Sequence, residues 1–271
     1  MPIVHNTDEE YHGGEGVSKS QLWKLYDETP FHARFGKRKE TAAFDIGKAA
    51  HIAILEPETL ESRVTRGPAD RRGNKWKEAQ DYAAHFNTLL LTEGDYEQAM
   101  LIRDLAATVP EIRTMQDGEK MQEVSAYHVD EETGLTVRCR PDIYNAKHKL
   151  IGDVKNMAKA DFMSFQRDIG KFGYHVQEAM YTDVWSKGAE LDVEGFFFIV
   201  FEKSEPPMVA CFELDAAAVA EGHAIYRKAL KEWAECEKSD EWPGYPTGIQ
   251  TIGLRRWDYR ETQAPIENGE E

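Results

Sequence analysis

The chain has 271 residues, with 49 Asp and Glu against 33 Lys and Arg, so its formal net charge is −16. This length fits one large domain, and no apolar run is long enough to predict a membrane span. The polar, acidic residues 1–10 lead us to expect no signal peptide. The three cysteines lie far apart and predict neither a disulfide framework nor a zinc or iron–sulfur site. A cytoplasmic protein is therefore expected.

The negative net charge by itself argues against a nucleic-acid partner. The charges are unevenly distributed, however, because residues 63–77 carry several Arg and Lys side chains against the single acid Asp70. A solvated loop explains that basic stretch about as well as a DNA-binding groove does. Net charge therefore does not exclude DNA as a partner.

The first part of the chain, about residues 11–118, is predicted to be mainly helical. Ser18, followed three residues later by Gln21, predicts a helix N-terminus, and that helix ends before Pro30. Gly and Pro predict a loop over 66–73. Further helices are predicted over 42–55, 76–91 and 95–108.

From about residue 119 to about residue 240 the pattern changes to strands alternating with helices. Strands are predicted over 123–130, 135–144, 150–155, 196–201 and 209–214. Helices are predicted over 160–186 and from the N-cap Asp215 to about Glu237. This order indicates an α/β (α+β) fold, with a mixed central sheet flanked by helices. Residues 241–271 are predicted to be an irregular tail, and the whole chain 1–271 to be a single domain.

Two carboxylates at hairpin spacing are the strongest functional signal. Asp142 precedes Asp153 by eleven residues, and the period of two along a strand puts Asp153 and Lys155 on one face. Carboxylates on adjacent strands can bind Mg²⁺, and a lysine beside them can hold water or phosphate. A structural salt bridge between Asp153 and Lys155 is the simpler alternative. The pattern favours metal-dependent phosphodiester cleavage, with Arg138 and Arg140 on the same strand face as Asp142.

A polar and aromatic helix face is a second candidate. Tyr174, Gln177 and Tyr181 are spaced at i, i+3 and i+7, so they share one face, which could meet the strand that carries Lys155. An ordinary half-buried helix face explains this spacing equally well. His51 lies in an Ala- and Ile-rich helix, where a core histidine is the more common explanation.

Three motifs resemble those of the PD-(D/E)xK nuclease superfamily, in its RecB-like and lambda-exonuclease-like branch: Arg140-Pro141-Asp142, Gly152-Asp153-Val154-Lys155 and Gln177-x-x-x-Tyr181. The sequence is more closely similar to the nuclease domain of the exodeoxyribonuclease VIII (RecE-type) family. The similarity extends from about residue 11 to about residue 235 and includes upstream segments at 18–22, 29–32 and 47–57.

The resemblance implies a restriction-endonuclease-like core with an N-terminal helical elaboration. It implies that the metal ligands are His51, Asp142, Asp153 and the main-chain carbonyl of Val154. It also implies that Lys155 is the catalytic lysine, assisted by Gln177 and Tyr181. Three further candidates are Glu123, which an exposed strand end explains equally well, Arg140 and Tyr174.

The same resemblance implies a Mg²⁺-dependent exodeoxyribonuclease, with Mn²⁺ as a possible substitute. Such an enzyme would digest linear duplex DNA 5′ to 3′ and leave 3′ single-stranded tails for recombination. Relatives imply a phage-type single-strand annealing protein as partner and a homo-oligomer around DNA. One alternative is a single-strand-acting Cas4- or AddB-like nuclease, although such enzymes typically carry an iron–sulfur cluster and only Cys236 lies in the corresponding region. The other is a non-catalytic DNA-binding module, which would not need Asp142, Asp153 and Lys155 together.

Overall fold

The computed structural model describes residues 3–36, 44–255 and 258. Its first part is rich in helices, with three short strands between them. In chain order the elements are α1 (Asp8–Gly13), β1 (Val17–Ser18), α2 (Lys19–Asp27), α3 (Pro30–Phe35), α4 (Phe44–Leu55), α5 (Leu60–Arg63), β2 (Val64–Arg66), α6 (Gly73–Phe86), β3 (Leu89–Leu91), α7 (Glu93–Ala106) and α8 (Pro110–Gln116). The predicted helix over 42–55 is α4, although its expected start lies outside the described residues.

The second part contains most of the sheet and the two longest helices. Its elements are β4 (Lys120–Gln122), β5 (Ala126–Val129), β6 (Thr136–Cys139), β7 (Ile143–Asn145), β8 (Leu150–Met157), α9 (Phe162–Phe172), α10 (Tyr174–Gly188), β9 (Gly195–Glu202), β10 (Met208–Phe212) and α11 (Ala216–Ser239). Asp215 caps α11 through its side chain, which accepts a hydrogen bond from the amide of Ala218, as predicted. None of the described helices is long and apolar enough to cross a membrane.

The main sheet has five strands in the order β10-β9-β8-β7-β4. Strands β8 and β9 are parallel and are joined through α9 and α10, while the other neighbouring pairs are antiparallel. A smaller sheet has the order β1-β6-β5, and β2 pairs with β3. A mixed sheet flanked by helices confirms the predicted fold class.

Strand β8 separates two apolar clusters because its side chains alternate between the faces of the sheet. Ile151 packs in one cluster with residues of α10 and α11, and Val154 packs in the other with residues of α4 and α7. Gly152 lies on the Val154 face, where a Cβ atom would come within 2.8 Å of Ile143 and 2.9 Å of Met115. The period of two therefore places Asp153 and Lys155 on the α10 side, as the sequence predicted.

The predicted strand over 135–144 is wrong as a single element. It is divided into β6, which pairs with β1 and β5, and β7, which pairs with β4 and β8. Pro141 lies at the break, where its missing amide hydrogen prevents a continuous ladder. Asp142 consequently lies just before β7 and does not share a strand face with Arg138 and Arg140.

The long helix predicted over 160–186 is also divided, at Gly173. This residue has φ +64°, a left-handed conformation that favours glycine. A Cβ atom there would lie 2.4 Å from the ring of Trp23, so the corner packs directly against α2. The chain therefore turns between α9 and α10.

Three smaller differences concern connecting segments. The predicted helix over 76–91 ends at Phe86 because Asn87 takes a left-handed conformation, and β3 follows it. The predicted strand over 123–130 is shorter than expected: Glu123 has a left-handed conformation with φ +49°, and the strand itself is β5. Helix α8 was not predicted by the sequence pattern.

Candidate active site

Strand β8 brings a buried carboxylate and a lysine against α10. Asp153 is 3% exposed, and its Oδ2 atom forms an ion pair with Nζ of Lys155. Its Oδ1 atom accepts a hydrogen bond from Nε2 of Gln177. The salt bridge that the sequence left open is therefore present, but it does not account for the second carboxylate beside it.

That second carboxylate is Asp142, which lies directly before β7. Its Oδ2 atom accepts a 2.6 Å hydrogen bond from the amide of Val154 and lies 3.8 Å from Nδ1 of His51. The main-chain carbonyl of Asp142 accepts a 3.1 Å hydrogen bond from the amide of Glu123. His51, Asp142 and β8 are thus brought together from parts of the chain that lie far apart in sequence.

The charge of Asp153 opposes the ionisation of Asp142. Burial is the main cause that raises the pKa of Asp142 to about 6, and the charge of Asp153 is the next. The charges of His51 and Lys155 and the hydrogen bond from the Val154 amide act in the opposite direction. Burial opposes the charge of Lys155, but Asp153 and Asp142 raise its pKa, so it remains an ammonium ion. Repulsion between neighbouring acids is relieved when a cation binds between them.

The donor set fits a hard divalent cation. Oδ2 of Asp153 is buried and, among the described residues, has no hydrogen-bond donor apart from its ion pair with Lys155. Within the part of the chain that is described, no three His, Cys, Asp or Glu side chains are grouped as a ready metal cage. Mg²⁺ commonly uses only one or two carboxylates and retains several waters. Asp142 and Asp153 could therefore hold it through their carboxylate oxygens. The main-chain carbonyl of Val154 and the imidazole of His51 are the further candidate ligands.

The predicted face of α10 meets β8. Gln177 is 4% exposed and contacts Asp153, while Nζ of Lys155 lies 5.0 Å from the centre of the Tyr174 ring. Burial raises the pKa of Tyr181, with Tyr11 and Asp153 adding to the effect. These contacts place Gln177 and Tyr174 around the carboxylate–lysine pair. Tyr181 is kept protonated, mainly by its burial.

A cavity of about 850 Å³ opens beside Asp142 and His51. Its lining includes Glu123 and Arg140 but neither Asp153 nor Lys155. Arg140 forms an ion pair with Asp8 of α1 and stacks over the ring of Tyr11 at 4.6 Å. Asp8 was not predicted to lie here, since an acid near the start of the chain carries no signal of a contact with residue 140.

Arg138, by contrast, does not reach the cavity. Its guanidinium group donates hydrogen bonds to the main-chain carbonyls of Gly14 and Glu15, and lies 5.1 Å from the centre of the Tyr11 ring. Arg138 therefore holds the segment after α1 in place, whereas Arg140 lines the cavity.

The fold is shared with a solved structure of low sequence identity. A candidate exonuclease from Eubacterium rectale aligns with a TM-score of 0.55 and 16% identity, covering 90% of this chain and 97% of the other. A phage-related exonuclease from Haemophilus somnus aligns with a TM-score of 0.35 and 14% identity, covering 84% and 98% of the two chains. No curated protein is significantly similar to the chain.

The model of the PDDEXK-like domain of unknown function (DUF3799) matches residues 21–253. This match covers most of the chain and includes His51, Asp142, Asp153, Lys155 and Gln177. It confirms the expected restriction-endonuclease-like core. The chain belongs to this family of PDDEXK-like domains.

Proposed function

We propose that this protein is a divalent-metal-dependent exodeoxyribonuclease that digests linear duplex DNA. The observation that carries the proposal is the pair of carboxylates, Asp142 and Asp153, held together at β8 with an ammonium group beside them. A carboxyl group such as Asp142, whose pKa is raised by burial and by a neighbouring acid, is a stability burden unless it binds a cation. A purely structural role would be served by the Asp153–Lys155 ion pair alone.

Each residue has a defined part in the proposed reaction. Mg²⁺ or Mn²⁺ held by Asp142 and Asp153 would polarise a phosphoryl oxygen and activate a water molecule. Lys155 donates hydrogen bonds to the attacking water or to the negative charge that develops on the phosphate. Gln177 fixes the orientation of Asp153 through its amide, and Tyr174 flanks the ammonium group of Lys155. Such supporting contacts hold the ligands in the geometry the reaction needs.

The finer features rest on the resemblance to the RecE-type family over residues 11–235. These are 5′ to 3′ polarity, 3′ single-stranded tails, a single-strand annealing protein as partner and assembly as a homo-oligomer. The candidate exonuclease from Eubacterium rectale shares the fold and supports the same class of activity. A Cas4- or AddB-like nuclease is less well supported, because Cys139, Cys211 and Cys236 are free and do not form a cluster.

A substrate panel tests the proposal. Purified protein is incubated with end-labelled linear duplex, closed circular duplex and single strands, in Mg²⁺ or in EDTA. We expect digestion of linear duplex in Mg²⁺ only, with circular duplex intact and with label released first from 5′ ends. Digestion of single strands alone would favour the Cas4- or AddB-like alternative, and binding without cleavage would favour the non-catalytic module.

Two variants distinguish the loss of a site carboxylate from the general effect of removing one negative charge. Asp153→Asn should abolish digestion, because it removes a metal ligand and leaves Lys155 without its partner. Asp192→Asn is the matched control, since Asp192 is an exposed acid paired with a lysine, Lys149, away from the site. Equal activity of the Asp153→Asn variant and the wild type would overturn the proposal.

A further inference from the structure

A second lysine lies beside the proposed catalytic lysine and has no part in the reaction described so far. Lys19 is the first residue of α2, and its Nζ atom donates a 2.6 Å hydrogen bond to the carbonyl of Phe172. The same Nζ atom lies 5.7 Å from the centre of the Tyr174 ring, which has Nζ of Lys155 at 5.0 Å. Both lysines therefore lie beside the same ring, and Lys155 also pairs with Asp153.

The fold holds Lys19 in this position from both ends. Immediately before it, Ser18 pairs with Arg138 of β6, and the Ser18 amide donates a 2.9 Å hydrogen bond to Oε1 of Gln21. Further along α2, Trp23 packs against Gly173 at the corner between α9 and α10. The side chain of Lys19 is thus directed to the end of α9 by packed elements and by a capping box.

The surroundings of Lys19 are poor in negative charge. None of the described carboxylates forms an ion pair with it, and its hydrogen-bond acceptor is a neutral carbonyl. Burial and the nearby charge of Lys155 lower the pKa of Lys19 to about 7, with only Asp153 acting in the opposite direction. The charge of Asp153 acts on both ammonium groups, and an added anion beside Lys19 would stabilise its charge further.

A DNA strand supplies anions at regular intervals along its backbone. If the scissile phosphate lies at Asp142, Asp153 and Lys155, the strand has to continue past that point in one direction or the other. Lys19 shares the Tyr174 ring with Lys155 and is a neighbouring cation for the continuing strand. We propose that Lys19 binds the backbone phosphate next to the scissile one on the strand being cut, and thereby sets the position of the scissile bond.

This inference rests on the proposed nuclease activity and assigns Lys19 as a positioning residue. Phosphate contacts of this kind fix the register of a nucleic acid without reading its sequence. The expected kinetic signature is a weaker binding of substrate with little change in the chemical step. Lys19→Ala should raise KM by about tenfold, the loss of one charge-assisted contact, and leave kcat within about twofold. Lys19→Arg should keep most of the wild-type KM.

The decisive experiment combines the variant with modified DNA. Linear duplexes carry one neutral methylphosphonate linkage, placed either on the 5′ side or on the 3′ side of the first scissile bond. For one of these two positions, the neutral linkage should raise KM of the wild type about as much as Lys19→Ala does. The same linkage should add little to the effect of Lys19→Ala, since the contact is already lost.

Lys24→Ala is the control, because Lys24 lies on the same helix with its side chain against Gly36. Its effect and that of the neutral linkage should be additive. The inference is overturned if both linkages act additively with Lys19→Ala, or if Lys19→Ala lowers kcat without raising KM. Absence of any cleavage by the wild type would instead contradict the proposed function, so the two failures are distinguishable.

Discussion

Two adjacent residues of α10, Gln177 and Glu178, are both buried but meet opposite environments. Gln177 donates a hydrogen bond to Asp153 in the candidate site. Glu178 is 7% exposed, and among the described residues its Oε2 atom has no hydrogen-bond partner. Burial, and then the charge of Glu213, raise the pKa of Glu178 to about 8.

The difference shows two ways in which a fold accommodates a buried acid. Asp153 is surrounded by an ammonium group and an amide that are compatible with its negative charge. Glu178 has no such groups and is instead protonated near neutral pH. Burial of a carboxyl group is therefore a weak sign of function, whereas burial among oriented donors and beside a second carboxylate is a strong one.

The largest expected effect is at Lys155. Lys155→Met removes the ammonium group but keeps a side chain of similar length in the space between Asp153 and Tyr174. We expect kcat on linear duplex DNA to fall by about 100- to 1,000-fold, as when one preorganised donor to a transition state is lost. Steady-state digestion in Mg²⁺ measures this. A variant with wild-type kcat would show that Lys155 has only a structural role.

Two neighbouring substitutions test whether Gln177 supports the site and Glu178 does not. Gln177→Ala removes the donor to Asp153, and we expect activity or metal affinity to fall by about 10- to 100-fold. Glu178→Gln, the control one residue away, should leave both unchanged because the Oε2 atom of Glu178 has no hydrogen-bond partner among the described residues, in the candidate site or elsewhere. Equal effects of the two substitutions on activity would contradict the distinction between the two sides of α10.

A smaller effect concerns pH. The pKa of Asp142 is raised to about 6, so the metal-binding form is depleted below that pH. Metal affinity should rise about tenfold between pH 5 and pH 7 and then level off, since one proton is displaced. Calorimetric titration of Mg²⁺ across this range measures the change. An affinity independent of pH would show that Asp142 is not a ligand.

The smallest effect is on stability. The folded pKa of Glu178, about 8, lies above its ordinary value of 4.5, so its contribution to stability is full below about pH 4.5 and is lost as pH rises towards 8. Glu178→Gln should remove this dependence and increase the free energy of unfolding at pH 7 by about 1 kcal/mol, because the new amide is also buried without partners. Urea denaturation at pH 5 and pH 7 checks both statements. An unchanged pH dependence in the variant would contradict them.

Local patterns in the sequence predicted the parts of the site that depend on local geometry. The shared face of Asp153 and Lys155 follows from the strand period, and the start of α2 follows from Ser18 and Gln21. The division of the strand at Pro141 and of the helix at Gly173 was not predicted. Pro and Gly are residues that can end a strand or a helix, but whether they do so at Pro141 and Gly173 depends on which strands and helices pack there.

Contacts between distant segments could not be predicted from residue patterns. Asp8 and Arg140 are 132 residues apart, and Lys19 and Phe172 are 153 residues apart. Such pairings are set by how the elements pack, and a local pattern of charge or periodicity contains no information about them. The resemblance to a nuclease family predicted His51 as a site residue, whereas its helix alone suggested a core position; the structure places it 3.8 Å from Asp142.

The proposed reaction requires Asp142 and Asp153 to bind one divalent cation together. Mn²⁺ binding, followed by electron paramagnetic resonance, tests it most directly in the wild type and in the Asp142→Asn, Asp153→Asn and Asp192→Asn variants. We expect one saturable site in the wild type and in Asp192→Asn, and its loss in both the Asp142→Asn and the Asp153→Asn variants. Undiminished binding in either Asp142→Asn or Asp153→Asn, or no binding to the wild type, would contradict it.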